Sequence, residues 1–166
     1  DSTAAEMLAA GFVATTNADC LATAGAGDIA SRLRGGMLVV LESITYPGTT
    51  DGRLRDILET SGLSAGTDFA RAFLTERIDP GNPTYQLRNT PKVVGGYTAT
   101  CTERAVELYS QLADVVVPVS ATRAAEMSKL LENSYRHVNI ALVNEIEVFI
   151  TRPGYRRLGA LAGRVD

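Results

Sequence analysis

The chain has 166 residues, of which 45 % are apolar and 21 % charged, with a formal net charge of −3. That balance allows one sizeable buried core, excludes wholesale disorder, and leaves no basic footprint for nucleic acid or an anionic membrane. No apolar stretch reaches the roughly 18 residues of a membrane span, and the start, DSTAAEMLAAGF, lacks the basic residues and continuous apolar run of a secretory signal, so the simplest address is the cytoplasm. Two cysteines, Cys20 and Cys101, and a single histidine, His137, supply neither a disulfide framework nor zinc-ligand spacing; no metal is expected.

Residues 1–34 are rich in Ala and Gly and read as helix then loop, with a short strand at 12–15. Gly25-Ala26-Gly27 offers GxG without the third glycine of a dinucleotide loop and reads as loop. MLVVLESI, residues 37–44, is an unbroken apolar run between the Arg34-Gly35-Gly36 and Tyr46-Pro47-Gly48 turns, the pattern of a strand covered on both faces. A helix follows, with Thr49, Thr50 and Asp51 as candidate N-caps, Leu54, Ile57 and Leu58 on one stripe, and a stop at Gly62. DFARAFLTERI, residues 68–78, predicts a second strand, and Asp79-Pro80-Gly81-Asn82-Pro83 a turn. Residues 91–96 predict a third.

Thr100-Cys101-Thr102-Glu103 has capping-box spacing and opens a helix running through Ala105, Leu108, Tyr109 and Leu112. VVVPV, residues 115–119, is a further strand, placed near a sheet edge by Pro118. Strands and helices alternating at these lengths imply an α/β, three-layer sandwich with mainly parallel strands. From Ser120 the pattern stays helical for about 28 residues, on the order of 42 Å. Met127, Leu131, Tyr135, Val138, Leu142 and Ile146 make an apolar seam, widened by Leu130, Val143 and Phe149. So long and apolar a helix is expected to be covered on more than one side, by a second domain or subunit.

That helix also carries Lys129, Asn133 and Arg136 at i, i+4 and i+7, an ammonium, an amide and a guanidinium in one column. Two readings stand: a solvated stripe, or a wall that holds a phosphorylated or sugar-like ligand, with the lysine stabilising a developing alkoxide. Asn139 and Asn144 favour the second, because asparagine is an indifferent helix former. His137 has no carboxylate one turn away to orient it and reads as a packing or hydrogen-bonding residue. Glu76, and likewise Glu42 and Ser43, stand at predicted strand ends, where α/β sheets present ligand contacts or merely turn the chain. Cys101 near a helix start reads as a capping or buried small residue.

In this order and at comparable spacing, LESITYPGTT, FLTERIDPGN, TPKVVGGYT and SKLLENSYRHVNIALVNE resemble the UDP-glucose/GDP-mannose dehydrogenase family of nucleotide-sugar dehydrogenases. The likeness spans about residues 33–149 and lies nearest the branch acting on UDP-N-acetylglucosamine or UDP-N-acetylmannosamine. It implies a partial Rossmann-like, NAD-binding domain over 1–119, a long central dimerisation helix over 120–150, and a tail of unassigned role over 151–166. It further implies NAD as cofactor and two-step oxidation of a sugar C6 alcohol, through an aldehyde held on a cysteine, to a carboxylate. By the same likeness Lys129, Asn133 and Glu76 are catalytic, Glu42 and Ser43 border the nicotinamide, Glu76, Arg77 and Arg136 contact the nucleotide sugar, and the protein is a homodimer.

Departures are visible too. Ile44 stands where the family has a hydroxyl, the dinucleotide fingerprint has no counterpart, and neither Cys20 nor Cys101 lies in the glycine-rich context of the catalytic cysteine. Weak or absent activity of the isolated chain is therefore expected. The alternative is a non-catalytic α/β remnant that self-associates through its long helix; a hydroxy-acid dehydrogenase relative is a third reading, disfavoured by the ERIDPGN loop.

Overall fold

In the computed structural model, which describes residues 12–15, 24–75, 77 and 88–151, five strands lie in one sheet in chain order. They are β1 (Phe12–Thr15), β2 (Leu38–Glu42), β3 (Ala70–Leu74), β4 (Lys92–Gly96) and β5 (Val116–Val119). The β1–β2, β2–β3 and β4–β5 pairs are parallel and β3–β4 is antiparallel. The helices are α1 (Ala24–Arg32), α2 (Arg55–Leu58), α3 (Ala99–Tyr109) and α4 (Thr122–Thr151). A π-helical turn, Thr50–Leu54, leads into α2, and a 3-10 turn, Glu59–Ser61, leads out of it to Gly62, which is left-handed at φ 84°.

Strand β2 shows why the run is unbroken. Val39 and Leu41 enter one core cluster with Leu54 and Leu58, Ala26 of α1 and Ala125 of α4, while Leu38 and Val40 enter another with Cys101, Ala105 and Tyr109 of α3. Both faces of the sheet are thus covered, and period-two alternation sends successive apolar residues to opposite layers. Strand β5 ends the sheet, where a proline such as Pro118 is tolerated.

Two local expectations are corrected. Gly25-Ala26-Gly27 is not loop but part of the first turn of α1, because Ala26 is drawn into the core and burial there outweighs the low helix propensity of glycine. Helix α3 is capped by Thr98, two residues before the expected capping box. Thr98 has the extended backbone an N-cap needs, and its hydroxyl accepts from the Cys101 amide at 3.2 Å. The expected turn at residues 79–83 lies outside the described residues.

The strand β4 glycines set how closely the layers approach. A Cβ on Gly95 would sit 2.2 Å from the Ala121 carbonyl oxygen, and one on Gly96 2.3 Å from the Thr102 amide nitrogen. The chain leading into α4 and the start of α3 therefore press against β4 where it has no side chains.

On the α2 side of the sheet sits a charge, Arg71 of β3, fully buried. Its guanidinium donates to the Thr50 carbonyl at 2.7 Å, pairs with Asp51 at 3.2 Å and stacks on Tyr97 with 4.5 Å to the ring centroid. Burial pushes Arg71 below its ordinary value and the Asp51 carboxylate opposes that shift. Asp51 also accepts from the Thr122 hydroxyl at 2.7 Å and meets the Arg123 guanidinium at 3.3 Å, so one carboxylate links β3, the π-helical turn and the start of α4.

The chain divides inside α4 into two compact units, Asp1–Leu130 and Leu131–Asp166. In the second unit α4 continues as helix, and its seam residues Leu131, Tyr135, Val138, Leu142 and Ile146 are exposed, Tyr135 by 72 %. The covering expected for this helix is not supplied by the described residues of the chain. No helix among them is long and apolar enough to cross a membrane.

Gly95→Ala is expected to destabilise the fold by about 2–3 kcal/mol in urea titration, since overpacking against backbone exceeds the entropic gain of replacing glycine. Asp51→Ala, which strips the carboxylate from the buried Arg71, is expected to cost about 3 kcal/mol in the same measurement, and Arg71→Met on top of it to restore a good part of that loss.

Candidate functional site

Strand β2 ends at Glu42, and the chain leaves it through Ser43, Thr45 and the Tyr46-Pro47-Gly48-Thr49-Thr50 loop. Gly48 has φ 99°, a left-handed conformation that side chains rarely adopt. This turns the Gly48 and Thr50 amides toward helix α4. There the fully buried Glu126 carboxylate accepts from the Gly48 amide at 2.5 Å, the Thr50 amide at 2.8 Å and the Thr50 hydroxyl at 2.6 Å. Three donors on one carboxylate meet the condition under which a buried charge is tolerated.

This also corrects the cap expected from the sequence. Thr49, Thr50 and Asp51 do not cap their own helix through their side chains: Thr49 is already helical and makes no cap bond, its hydroxyl donating instead to the Tyr46 carbonyl at 2.8 Å. The Thr50 amide at the start of the π-helical turn is satisfied by Glu126, 76 residues on. Asp51 is turned to Arg71 and Thr122.

The expected site residues fall as follows. Lys129, one turn beyond Glu126, is buried with 8 % of its surface exposed, which rules out the plain solvated stripe for this residue. Glu42 is half-buried at the β2 end and accepts a short hydrogen bond from the Tyr109 hydroxyl at the end of α3; Ser43 beside it is buried. Arg77 is half-buried and reaches the Pro91 carbonyl at 3.5 Å. Glu76 lies outside the described residues. In the second unit, Asn133 is half-buried and Arg136 exposed. His137, expected to pack or bond, is exposed there as well. Asn139 donates its side-chain amide to the Tyr135 carbonyl at 2.7 Å, so its presence in the helix has a local explanation that the sequence reading gave to a site.

Four residues were not expected at the site from the sequence, although Tyr109 was expected in its helix. Glu126, Arg71 and Tyr109 hold the pieces together, and Thr45, just past the β2 end, has a buried hydroxyl with no hydrogen-bond partner. A buried hydroxyl left unpaired by the fold is a group a bound ligand can satisfy. The signal for Glu126 was present: Thr122, Ala125, Glu126 and Lys129 are the buried residues of α4 and repeat at helical spacing, a mostly polar face where the apolar seam was expected to begin with Met127, which is exposed. Arg71, a lone charge inside the apolar FARAFL run, was likewise visible. Among the described residues no group of three or more His, Cys, Asp or Glu could hold a metal ion.

Comparison with known proteins gives the family. Residues 11–113 match the model of the UDP-glucose/GDP-mannose dehydrogenase family NAD binding domain, and residues 123–156 match that family's central domain. A UDP-N-acetyl-D-glucosamine 6-dehydrogenase of Salmonella typhi is 37 % identical over 122 residues, covering 72 % of this chain and 29 % of its own length. A UDP-N-acetyl-D-mannosamine dehydrogenase of Salmonella typhimurium is 36 % identical over 138 residues, 79 % of this chain and 33 % of its own. The chain thus spans about a third of the length of these curated relatives.

Among solved structures, the UDP-D-ManNAc dehydrogenase of Pyrococcus horikoshii superposes with a TM-score of 0.74 at 30 % identity, covering 94 % of this chain and 41 % of the other. The NDP-N-acetyl-D-galactosaminuronic acid dehydrogenase of Methanosarcina mazei gives a TM-score of 0.65 at 41 % identity, covering 75 % of this chain and 27 % of the other. The family model of the NAD binding domain covers more than half of the chain, and the chain belongs to the UDP-glucose/GDP-mannose dehydrogenase family.

Proposed function

We propose that the chain is part of an NAD-dependent nucleotide-sugar 6-dehydrogenase oxidising the C6 alcohol of a UDP-N-acetylhexosamine to the carboxylate. The observation that carries this reading is the burial of Lys129 on a helix whose first turn is held against the loop leaving β2. An ammonium kept from bulk water interacts strongly with a developing oxyanion, because it is little screened and needs no reorganisation when the charge appears. Asn133 positions the reacting group, and Glu76 approaches substrate and the hydrolytic water. Arg77 and Arg136 supply cations for the diphosphate or the sugar.

NAD, when bound, accepts the hydride. Glu42 and Ser43 at the strand end border it, and the Thr45 hydroxyl is a donor still free for a polar ligand there, which fits such a cofactor. In this reading the protein works in the cytoplasm, where nucleotide sugars are made. Its exposed face of Leu131, Tyr135, Val138, Leu142 and Ile146 is the self-association surface of a homodimer, since so many large apolar residues on one helix otherwise stay in water.

Calorimetry of the purified chain with UDP-N-acetylglucosamine and UDP-N-acetylmannosamine is expected to show binding that Lys129→Ala weakens about tenfold, the loss of one charge-assisted contact. No binding of either sugar nucleotide by the parent chain contradicts the reading and favours a non-catalytic remnant. Turnover is expected to be weak or absent for this chain by itself; the one cysteine among the described residues, Cys101, has its thiol buried at the start of α3, where it accepts from the Thr98 hydroxyl at 3.1 Å. In light scattering the chain is expected at twice its monomer mass, with Val138→Asp returning it to monomer; a monomeric parent at high micromolar concentration contradicts the homodimer.

A further inference from the structure

Glu126 does more than close a hydrogen-bond list. It is fully buried, it is one helical turn from the buried Lys129, and all three of its donors belong to the loop that continues from Ser43 and Thr45. Among the described residues, α4 is the one helix to which the Gly48 and Thr50 amides both bond. The second tie between the same two segments, Thr122 to Asp51, lies one turn earlier on α4 and fixes its rotation about the loop.

We infer that Glu126 is a positioning residue, whose carboxylate sets where Lys129 stands relative to the strand-end residues Ser43 and Thr45. The inference rests on the sugar-nucleotide reading for what Lys129 acts upon, but the coupling itself is a property of the fold. Three donors on two oxygens leave the carboxylate little freedom, so the Gly48–Thr50 backbone and the first turns of α4 move as one piece. A loop held by water instead would let the strand end and the lysine drift by the fraction of an ångström that misaligns a reacting group.

The two sides of the clamp can be loosened separately. Glu126→Gln keeps the shape but presents an amide donor to a set of donors. Thr50→Val keeps the volume and the Glu126 charge but removes the hydroxyl donor from the loop side. Because Thr50→Val leaves every charge in place, a changed Lys129 side-chain resonance in that variant reports movement and not altered electrostatics.

The experiment is heteronuclear NMR of the lysine side-chain 13Cε and 15Nζ signals in the full chain, with circular dichroism as a check of folding and UDP-N-acetylglucosamine titration by calorimetry. Both variants are expected to fold, to shift the Lys129 signals, and to weaken sugar-nucleotide binding about five- to tenfold. If Glu126→Gln does not fold, Thr50→Val decides alone. Folded variants whose Lys129 signals and affinity stay within twofold of the parent overturn the positioning role. A parent chain that binds no sugar nucleotide while Thr50→Val still shifts Lys129 overturns the functional reading and supports the coupling.

Discussion

The described part of the first unit is organised around a carboxylate that cannot be left unpaired. Glu126 is out of water, and an ionised carboxylate in such a place must be fully satisfied or the fold loses several kcal/mol. Its three donors all come from one loop, and that loop is the continuation of the central parallel strand β2. The left-handed Gly48 is what aims one amide at it. One residue after Thr50, Asp51 repeats the device with the opposite partner, pairing with the buried Arg71 of β3 and accepting from the Thr122 hydroxyl of α4. The long helix is therefore fastened to the sheet by polar contacts at its start, with Ala125 the apolar residue that enters the core there.

This arrangement explains why the helix changes character along its length. Up to Leu130 its buried face is Thr122, Ala125, Glu126 and Lys129; beyond that its large apolar residues, Leu131 to Phe149, are exposed. A polar buried face suits contact with the loop leaving β2, where hydrogen bonds fix geometry more sharply than apolar packing does. An exposed apolar face suits contact with another surface of the same kind. The two halves of one helix thus offer two different kinds of interaction, and the match of residues 123–156 to the family's central domain falls on this helix.

Much of the fold was legible because it follows from periodicity. The unbroken run at β2 declared a strand buried on both faces, VVVPV declared an edge, and the four ordered motifs led to a family that the comparisons establish. What escaped was settled by partners distant in the chain. The start of the π-helical turn looked locally capped by Thr49, Thr50 or Asp51, yet the cap is Glu126, which no local pattern names. Thr98 displaced the capping box at Thr100 because the backbone turns at Tyr97 and Thr98 once Gly96 has packed on Thr102. Asn139 was read toward a ligand, while its own helix supplies its partner. Within the candidate site, Lys129 and Ser43 were singled out from sequence without their burial, which the fold supplies, and Glu126, which ties the strand-end loop to α4, was found only through the contacts of the fold.

The central claim is that the strand-end loop of β2 and Lys129 face one sugar-nucleotide site. Backbone amide NMR of the chain titrated with UDP-N-acetylglucosamine tests it most directly. The account predicts that the largest shifts fall on Ser43–Thr50 and on the α4 turn from Glu126 to Leu130. Saturable shifts confined to other parts of the sheet, or no shifts at millimolar ligand, contradict it.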